Sequence, residues 1–553
     1  MQIPSVLVLS FATFCLAASV PTGPTVVLDF GSFRGSSNAA TDTDSFLGIP
    51  FAAPPVGNNR LRPPQPLSVQ YGSVIQDATT APNDCPQQNA PNGITLPAQL
   101  ANYSSMLSGT PVRGSEDCLY LNVFRPSTAT PSSRLAVIYF IFGSGFAIGG
   151  ASEFDGTSLV SQSVAMNQDL IVVIGNYRLS AWGWLPGQEA QNEGIGNLGL
   201  LDQRAALEWV QKYIADFGGD PSKVTIMGES AGAMSVSLQM VMNGGYAGGL
   251  FRAAIMESGS VFPFGPMANG QDIFDEITSA TGCDTAYDKI ACLRTVPFEQ
   301  FYNAVQNSPN SATAYRGPAA AYLPRVDYNT LVDLPQNLFN EGRFAKVPIL
   351  IGENEDEGSI WCFTSLNVTT DDEFSEYVHC AYIQSKNVVE HIPVHTQVVQ
   401  QYPNDPDDGC PYGSGDLYSY TPESKRIASL LGDVIFIAPR RFVSQTYVQN
   451  HLPVWSYHFS HVSETPFLGS YHGSEVPYVF GETPDPLSAQ MMALWIAFAH
   501  SLDPNDYGSF SGASGLPYWP QYGTSGSLME FGISNNSLMM DIFRVDPVGP
   551  SMF

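Results

Sequence analysis

Charge is scarce in this 553-residue chain, and positive charge scarcest of all. Only 13% of residues are charged, with 23 Lys and Arg against 51 Asp and Glu and a net charge of −28, whereas an ordinary soluble chain carries roughly 25% charged residues. Such a polyanion repels phosphate backbones and anionic lipid surfaces, which excludes nucleic acid and headgroup binding through basic patches. Nor is there any later run of about 18 apolar residues, so no stable membrane insertion is expected. Cys-x-x-Cys pairs, internal repeats and long low-complexity segments are also missing. His391 and His395 stand four apart but have no third ligand nearby, and they read as surface histidines rather than a zinc site. No cofactor or metal is implied. What the chain does have is apolar material, 44% of its residues, enough to bury a large core.

The amino terminus indicates the compartment. Val6 to Ala18 is an apolar run too short to cross a bilayer, and Ser19, Val20 and Pro21 follow it. Although Lys and Arg are absent before the run, it reads as a secretory signal over residues 1–18, leaving a secreted, extracellular chain in which residues 19–553 form one large domain. Sequons at Asn102, Asn367 and Asn535 fit that compartment as glycosylation sites. Cys15 leaves with the signal. Cys85, Cys118, Cys283, Cys292, Cys362, Cys380 and Cys410 remain, an odd number suited to an oxidising environment but leaving one thiol without an internal partner.

Short runs rich in β-branched residues, Leu135 to Phe142, Asp169 to Ile174, Val224 to Met227 and Val347 to Ile351, predict strands buried on both faces. Asn197 to Phe217 predicts a helix, with Gly218 and Gly219 as stop signals. Strands alternating with helices imply an α/β fold with a mainly parallel sheet.

Lys223 to Met240 reads KVTIMGESAGAMSVSLQM, an apolar strand, then Gly228-Glu229-Ser230-Ala231-Gly232, then a helix-prone run. A GxSxG match carries little weight in a chain with 50 glycines, but a strand, sharp turn and helix are the setting in which it exposes a nucleophilic serine. An unassisted hydroxyl is a poor nucleophile, so Ser230 requires a base, an acid that orients the base, and donors for an oxyanion. The strand from Leu135 ends in Gly143-Ser144-Gly145-Phe146, a loop able to lend the N–H groups of Ser144 and Gly145, to be joined by that of Ala231. After Val347 to Ile351 come Glu353, Glu355, Asp356 and Glu357, each chemically able to be the acid. Among the histidines, His472 lies in a Gly- and Ser-flanked loop, His458 reads as a strand residue, and His500 as a structural residue on an apolar helix.

Several longer motifs accompany these: FLGIPFAAPPVG at Phe46 to Gly57, SEDCLYLNV at Ser115 to Val123, NYRL at Asn176 to Leu179, GNLGLLDQRAALEWV at Gly196 to Val210 and FGGDPSKVTIMGESAGA at Phe217 to Ala233. With them the chain resembles the type B carboxylesterase/lipase family, which includes cholinesterases and secreted fungal lipases, over nearly its whole mature length. The resemblance implies an α/β-hydrolase fold with a lid loop and the chain order Ser, Glu, His. That order selects Glu357 in GENEDEGS and His472 in YHGSEVPYVFG. It also implies disulfides between Cys85 and Cys118 and between Cys283 and Cys292. The first closes the lid region, whose apolar stretch Ile94 to Leu100 is a candidate cover for the site. Cys380 with Cys410 is a further plausible pair, leaving Cys362 single.

The chain departs from the family pattern at two places. Ser144 replaces the middle glycine of the oxyanion loop, which reduces its conformational freedom. The loop from Cys85 to Cys118 has no Trp to face a quaternary ammonium, which disfavours a cholinesterase. The expected function is therefore a secreted, cofactor-free serine esterase acting on small-molecule or lipid esters through an acyl-enzyme. A triacylglycerol or sterol-ester lipase is the alternative, and a non-catalytic adhesion or binding protein a remote one, opposed by the intact Ser230, Glu357 and His472.

Overall fold

The apolar runs of the chain pair with one another because a strand buried on both faces must find hydrogen-bond partners on both edges. In the computed structural model, which describes residues 23–89, 98, 112–310, 321–379 and 398–545, they form one sheet of eleven strands. Three strands, β1 (Thr25–Leu28), β2 (Gly31–Arg34) and β5 (Ile75–Asp77), make a separate small sheet. The large sheet consists of β3 (Ser36–Asn38), β4 (Thr43–Pro50), β6 (Tyr120–Pro126), β7 (Leu135–Ile141), β8 (Leu170–Gly175), β9 (Gly219–Glu229), β10 (Ala253–Glu257), β11 (Ile349–Asn354), β12 (Val454–Phe459), β13 (Ser527–Phe531) and β14 (Asn536–Met540). Their order is β14-β13-β12-β11-β10-β9-β7-β8-β6-β4-β3. From β13 to β8 all neighbours are parallel, and antiparallel strands close both edges. This is the expected α/β-hydrolase arrangement.

The strands lie close to where the sequence places them, but β9 runs over Gly219–Glu229, well beyond the expected Val224 to Met227 at its start, and β11 is shifted. The strand expected over Val347 to Ile351 is observed at Ile349–Asn354. Pro348 carries no N–H to donate, so pairing begins after it, at Ile349 opposite Val454. The helix expected over residues 197–217 is α-helical for Leu198–Tyr213 and tightens to a 3₁₀ turn over Ile214–Phe217. Gly218 at φ 100 ends that turn one residue before β9 starts.

Periodicity did not reveal everything that this helix buries. Asp202 is fully buried and forms a two-pronged ion pair with Arg178, whose Nε and Nη2 lie 2.7 and 2.6 Å from its carboxylate oxygens. Arg178 belongs to the NYRL motif, and the pair ties the segment after β8 to the helix that precedes β9.

Both expected disulfides form, Cys85 with Cys118 and Cys283 with Cys292. The third pairing does not. Cys410 is a buried free thiol turned toward Asp356, with Sγ 3.6 Å from Oδ1, and Cys362 is likewise a buried free thiol. Cys380 lies outside the described residues, as do the signal segment, His391, His395, Asn102 and, apart from residue 98, the stretch Ile94 to Leu100. Asn367 and Asn535 are exposed, as glycan acceptors need to be. Among the described residues no helix is long and apolar enough to cross a membrane.

Candidate active site

Chain order places the site. β8 follows β7 on one side of it, and β9 returns to the other side, so the loops leaving β7 and β9 diverge at adjacent strand ends, where open α/β sheets form their crevices. The loop after β7 carries Gly143 to Phe146, and the turn after β9 carries Ser230.

Ser230 sits between β9 and helix Ala231–Gly245 at φ 56, ψ −125, a strained conformation for a residue with a side chain. Its N–H donates to the Glu257 carbonyl of β10 at 2.9 Å, which anchors the turn to the neighbouring strand. The flanking glycines are required by close approach: a Cβ on Gly228 would come within 2.4 Å of Gly232 C, and one on Gly232 within 1.9 Å of Ile141 O.

Two hydrogen bonds extend from the serine. His472 Nε2 is 2.7 Å from Ser230 Oγ, and His472 Nδ1 is 2.5 Å from Glu357 Oε2. Glu357 in turn accepts the Asn354 N–H at 2.8 Å. The other acids of the loop have different partners. Glu353 pairs with the buried Arg440. Asp356 accepts N–H donors from Tyr412 and Ser470, each at 2.8 Å, and so fastens the glutamate loop to the histidine loop. Glu355 donates its N–H to Phe459 O on β12. His458 lies buried on β12, as its strand setting indicated, while His500 is exposed near a helix end.

Ser144, Gly145 and Phe146 take φ values of 67, 65 and 61. Ser144 therefore adopts the left-handed conformation expected of the glycine it replaces, and it is exposed while Gly145 faces the cleft. Ala231 opens its helix, where the N–H groups of the first turn have no intrahelical acceptor. Gly145 and Ala231 line the same cleft as Ser230, an opening of about 420 Å³ whose other walls include Met234, Phe262, Phe264, Leu323, Trp361 and Phe436.

Carboxylates crowd the histidine. Glu229 Oε1 lies 3.5 Å from His472 Nε2. Glu475, on the histidine's own segment, accepts Ser258 Oγ at 3.1 Å and also the Asn354 side-chain amide. Glu257 accepts the Trp495 indole N–H. Burial raises all three of these acids above the usual carboxylate range, and repulsion from neighbouring carboxylates, Glu357 among them for Glu229 and Glu475, adds to the effect. For His472, burial works against the charged form, but Glu357, joined by Glu229 and Glu475, outweighs it, and the imidazole is raised to about 9. Sequence reading passed over Glu475, Glu257 and Phe436. Glu475 stood within the quoted YHGSEVPYVFG motif, and an acid ending the apolar run of β10 was itself a signal, whereas Phe436 had none.

Such a relay at the mouth of an apolar cleft can activate a hydroxyl for attack on a carbonyl. Residues 22–544 match the family described as the Carboxylesterase family. The chain belongs to that family. As a type B carboxylesterase it is a carboxylic ester hydrolase related to fungal lipases and to animal carboxylesterases. Secreted lipase 1 of Botryotinia fuckeliana is 39% identical over 94% of this chain and 91% of its own length. A secreted triacylglycerol lipase of Gibberella zeae is also 39% identical, over 94% and 89%. The crystal structure of Aspergillus niger EstA superposes with a TM-score of 0.79 at 27% identity, covering 95% of this chain and 97% of that one.

Proposed function

We propose that this carboxylesterase is secreted and that it hydrolyses esters of neutral acyl groups through an acyl-enzyme on Ser230. The observation that carries the reading is the continuous hydrogen-bonded line from Ser230 Oγ through His472 to Glu357 at an apolar cleft. His472 Nε2 takes the hydroxyl proton as Oγ attacks the ester carbonyl, and Glu357 steadies the imidazolium through Nδ1–H. The N–H groups of Ser144, Gly145 and Ala231 stabilise the oxyanion. When the intermediate collapses, the C–O bond to the alcohol breaks and His472 returns the proton to the departing oxygen. Water, deprotonated by the same nitrogen, then releases the acid.

The walls of the cleft support the choice of substrate. Phe262, Phe264, Leu323 and Met234 offer no partner for a charged acyl group, whereas each methylene buried there gains about 0.8 kcal/mol. The names of the secreted lipases that this chain resembles favour a second reading, triacylglycerol hydrolysis at an oil surface. Both are tested by one rate profile over p-nitrophenyl esters from acetate to palmitate, run beside an emulsified triglyceride. A fluorophosphonate should label Ser230, and Ser230→Ala should abolish hydrolysis of every ester. Labelling of another serine would refute the assignment.

A further inference from the structure

Helix Ser424–Gly432 does not end at Gly432. It passes through a π-helical turn, Asp433–Ile437, into helix Ala438–Gln449. Such turns make up well under 1% of residues in folded proteins and occur frequently at functional sites. An extra residue within a helical turn weakens its hydrogen bonding, so its retention needs a cause outside the helix. Here the turn pushes Ile435 and Phe436 into the wall of the active-site cleft. The ring of Phe436 lies 4.5 Å from the His472 imidazole, centroid to centroid, inclined by 38°. Trp361 is a second aromatic neighbour of the imidazole, at 5.9 Å and 52°.

The turn is held from behind. Asp433 is fully buried and accepts from Arg544 Nε and Nη2 at 3.1 and 2.9 Å and from Tyr402 Oη at 3.1 Å. Gly432 packs against the glutamate loop, where a Cβ would lie 3.1 Å from Gly358 N and 3.7 Å from Glu357 Cβ. The same stretch of backbone therefore supports both partners of the His472–Glu357 bond.

We infer that Phe436 is a positioning residue for ester hydrolysis, its ring holding the imidazole of His472 in the plane that joins Ser230 to Glu357 and offering a π face to the imidazolium. The electron-rich face of an aromatic ring attracts a cation. The ring contact also removes rotational freedom that would carry Nε2 away from the serine. The charged groups facing the imidazole are Glu357, Glu229 and Glu475, while Asp433 on the turn itself is paired with Arg544. All of them stay in place when the neutral Phe436 is exchanged, so a change in the titration of the base reports on the ring.

The inference rests on His472 being the general base. The experiment is the pH dependence of kcat and kcat/KM with p-nitrophenyl acetate, whose two-carbon acyl group makes little use of the cleft wall. It compares the parent with Phe436→Leu, Phe436→Met and Phe436→Tyr. Leu and Met fill the space without a face, and having two of them guards against the failure of one to fold. Loss of the face destabilises the imidazolium, so in both variants the acid limb should move to lower pH by about half a unit, a roughly threefold change in the protonation equilibrium. Their kcat should fall about tenfold with KM within about twofold of the parent. Phe436→Tyr keeps the face and should recover the parental limb. An unmoved limb in Leu and Met, a loss confined to KM, or a Tyr variant displaced as far as Leu would overturn the role of Phe436. A parent with no acid limb at all would instead defeat the assignment of His472.

Discussion

Nε2 of His472 is shared: Ser230 Oγ lies 2.7 Å from it and Glu229 Oε1 3.5 Å. The two groups influence each other's titration. An ionised Glu229 raises the imidazole, while burial pushes the Glu229 carboxyl up to about 8, so its charge is largely withheld at neutral pH and appears as the pH approaches the range where His472 titrates. Glu357 supplies most of the upward shift. Because the base works only when neutral, kcat/KM should rise with pH through an apparent pKa above the ordinary histidine value of about 6.5, toward the value of about 9 to which its carboxylate neighbours raise it. Glu229→Gln should move this limb by less than Glu357→Gln does. A profile flat down to about pH 4, with the protein still folded, would contradict a histidine base.

Glu357→Gln keeps the shape of the acid but removes the charge that stabilises the imidazolium. By analogy with the roughly ten-thousand-fold effect known for a triad acid, kcat should drop by several orders of magnitude. Glu355→Gln should change kcat little, since Glu355 is tied by its backbone to Phe459 and has no contact with His472 like that of Glu357. Equal losses in the two variants, measured with p-nitrophenyl butyrate, would show that the acid is misassigned.

Glu257 makes stability depend on pH. It is fully buried, its Oε2 has no partner, and burial, with Glu475 as the next cause, pushes its carboxyl far above the usual range. Below the unfolded-state pKa the group is protonated in both states and costs nothing. As pH rises beyond it, only the unfolded chain releases the proton, and the fold loses about 1.4 kcal/mol for each pH unit until the folded-state pKa is reached. Glu257→Gln should remove this slope, gaining up to about 2.7 kcal/mol on the parent between pH 5 and pH 7. Urea unfolding at the two pH values measures it, and parallel shifts in parent and variant would refute it.

Substrate choice turns on the aromatic faces. The loop from Cys85 to Cys118 has no Trp, but Trp361 lines the cleft beside His472. Among the described residues no charged side chain lines the cleft, and the diffuse field of a −28 chain, screened beyond roughly 8 Å at physiological ionic strength, cannot orient a choline. We expect kcat/KM to rise from acetate to at least butyrate esters. Butyrylcholine should be no better than a neutral butyrate ester of similar leaving-group pKa. A preference for the choline ester that Trp361→Ala abolishes would reverse this conclusion.

The proposed nucleophile was legible without coordinates because its geometry is local. The strand, the turn and the helix around Ser230 are consecutive in the chain, and the two glycines that permit their contact lie within two residues of it. The parallel sheet was legible too, since strands buried on both faces leave continuous apolar runs. The choice among Glu353, Glu355, Asp356 and Glu357 was not, except through the family pattern. Four neighbouring carboxylates differ only in where the backbone aims them, and that depends on Arg440, Ser470 and His472, between 83 and 119 positions away in the chain. The same holds for Cys410, whose partner could not be read from spacing and which turned inward to Asp356 instead of forming a disulfide. It holds most of all for Phe436, an ordinary apolar residue in an apolar helix. Composition, periodicity and local turn chemistry determined the kind of fold and pointed to Ser230 as the proposed attacking residue. Only tertiary packing, which brings together β-strand ends and one helical turn from distant parts of the chain, decided which acid hydrogen-bonds the histidine and which ring lies against it.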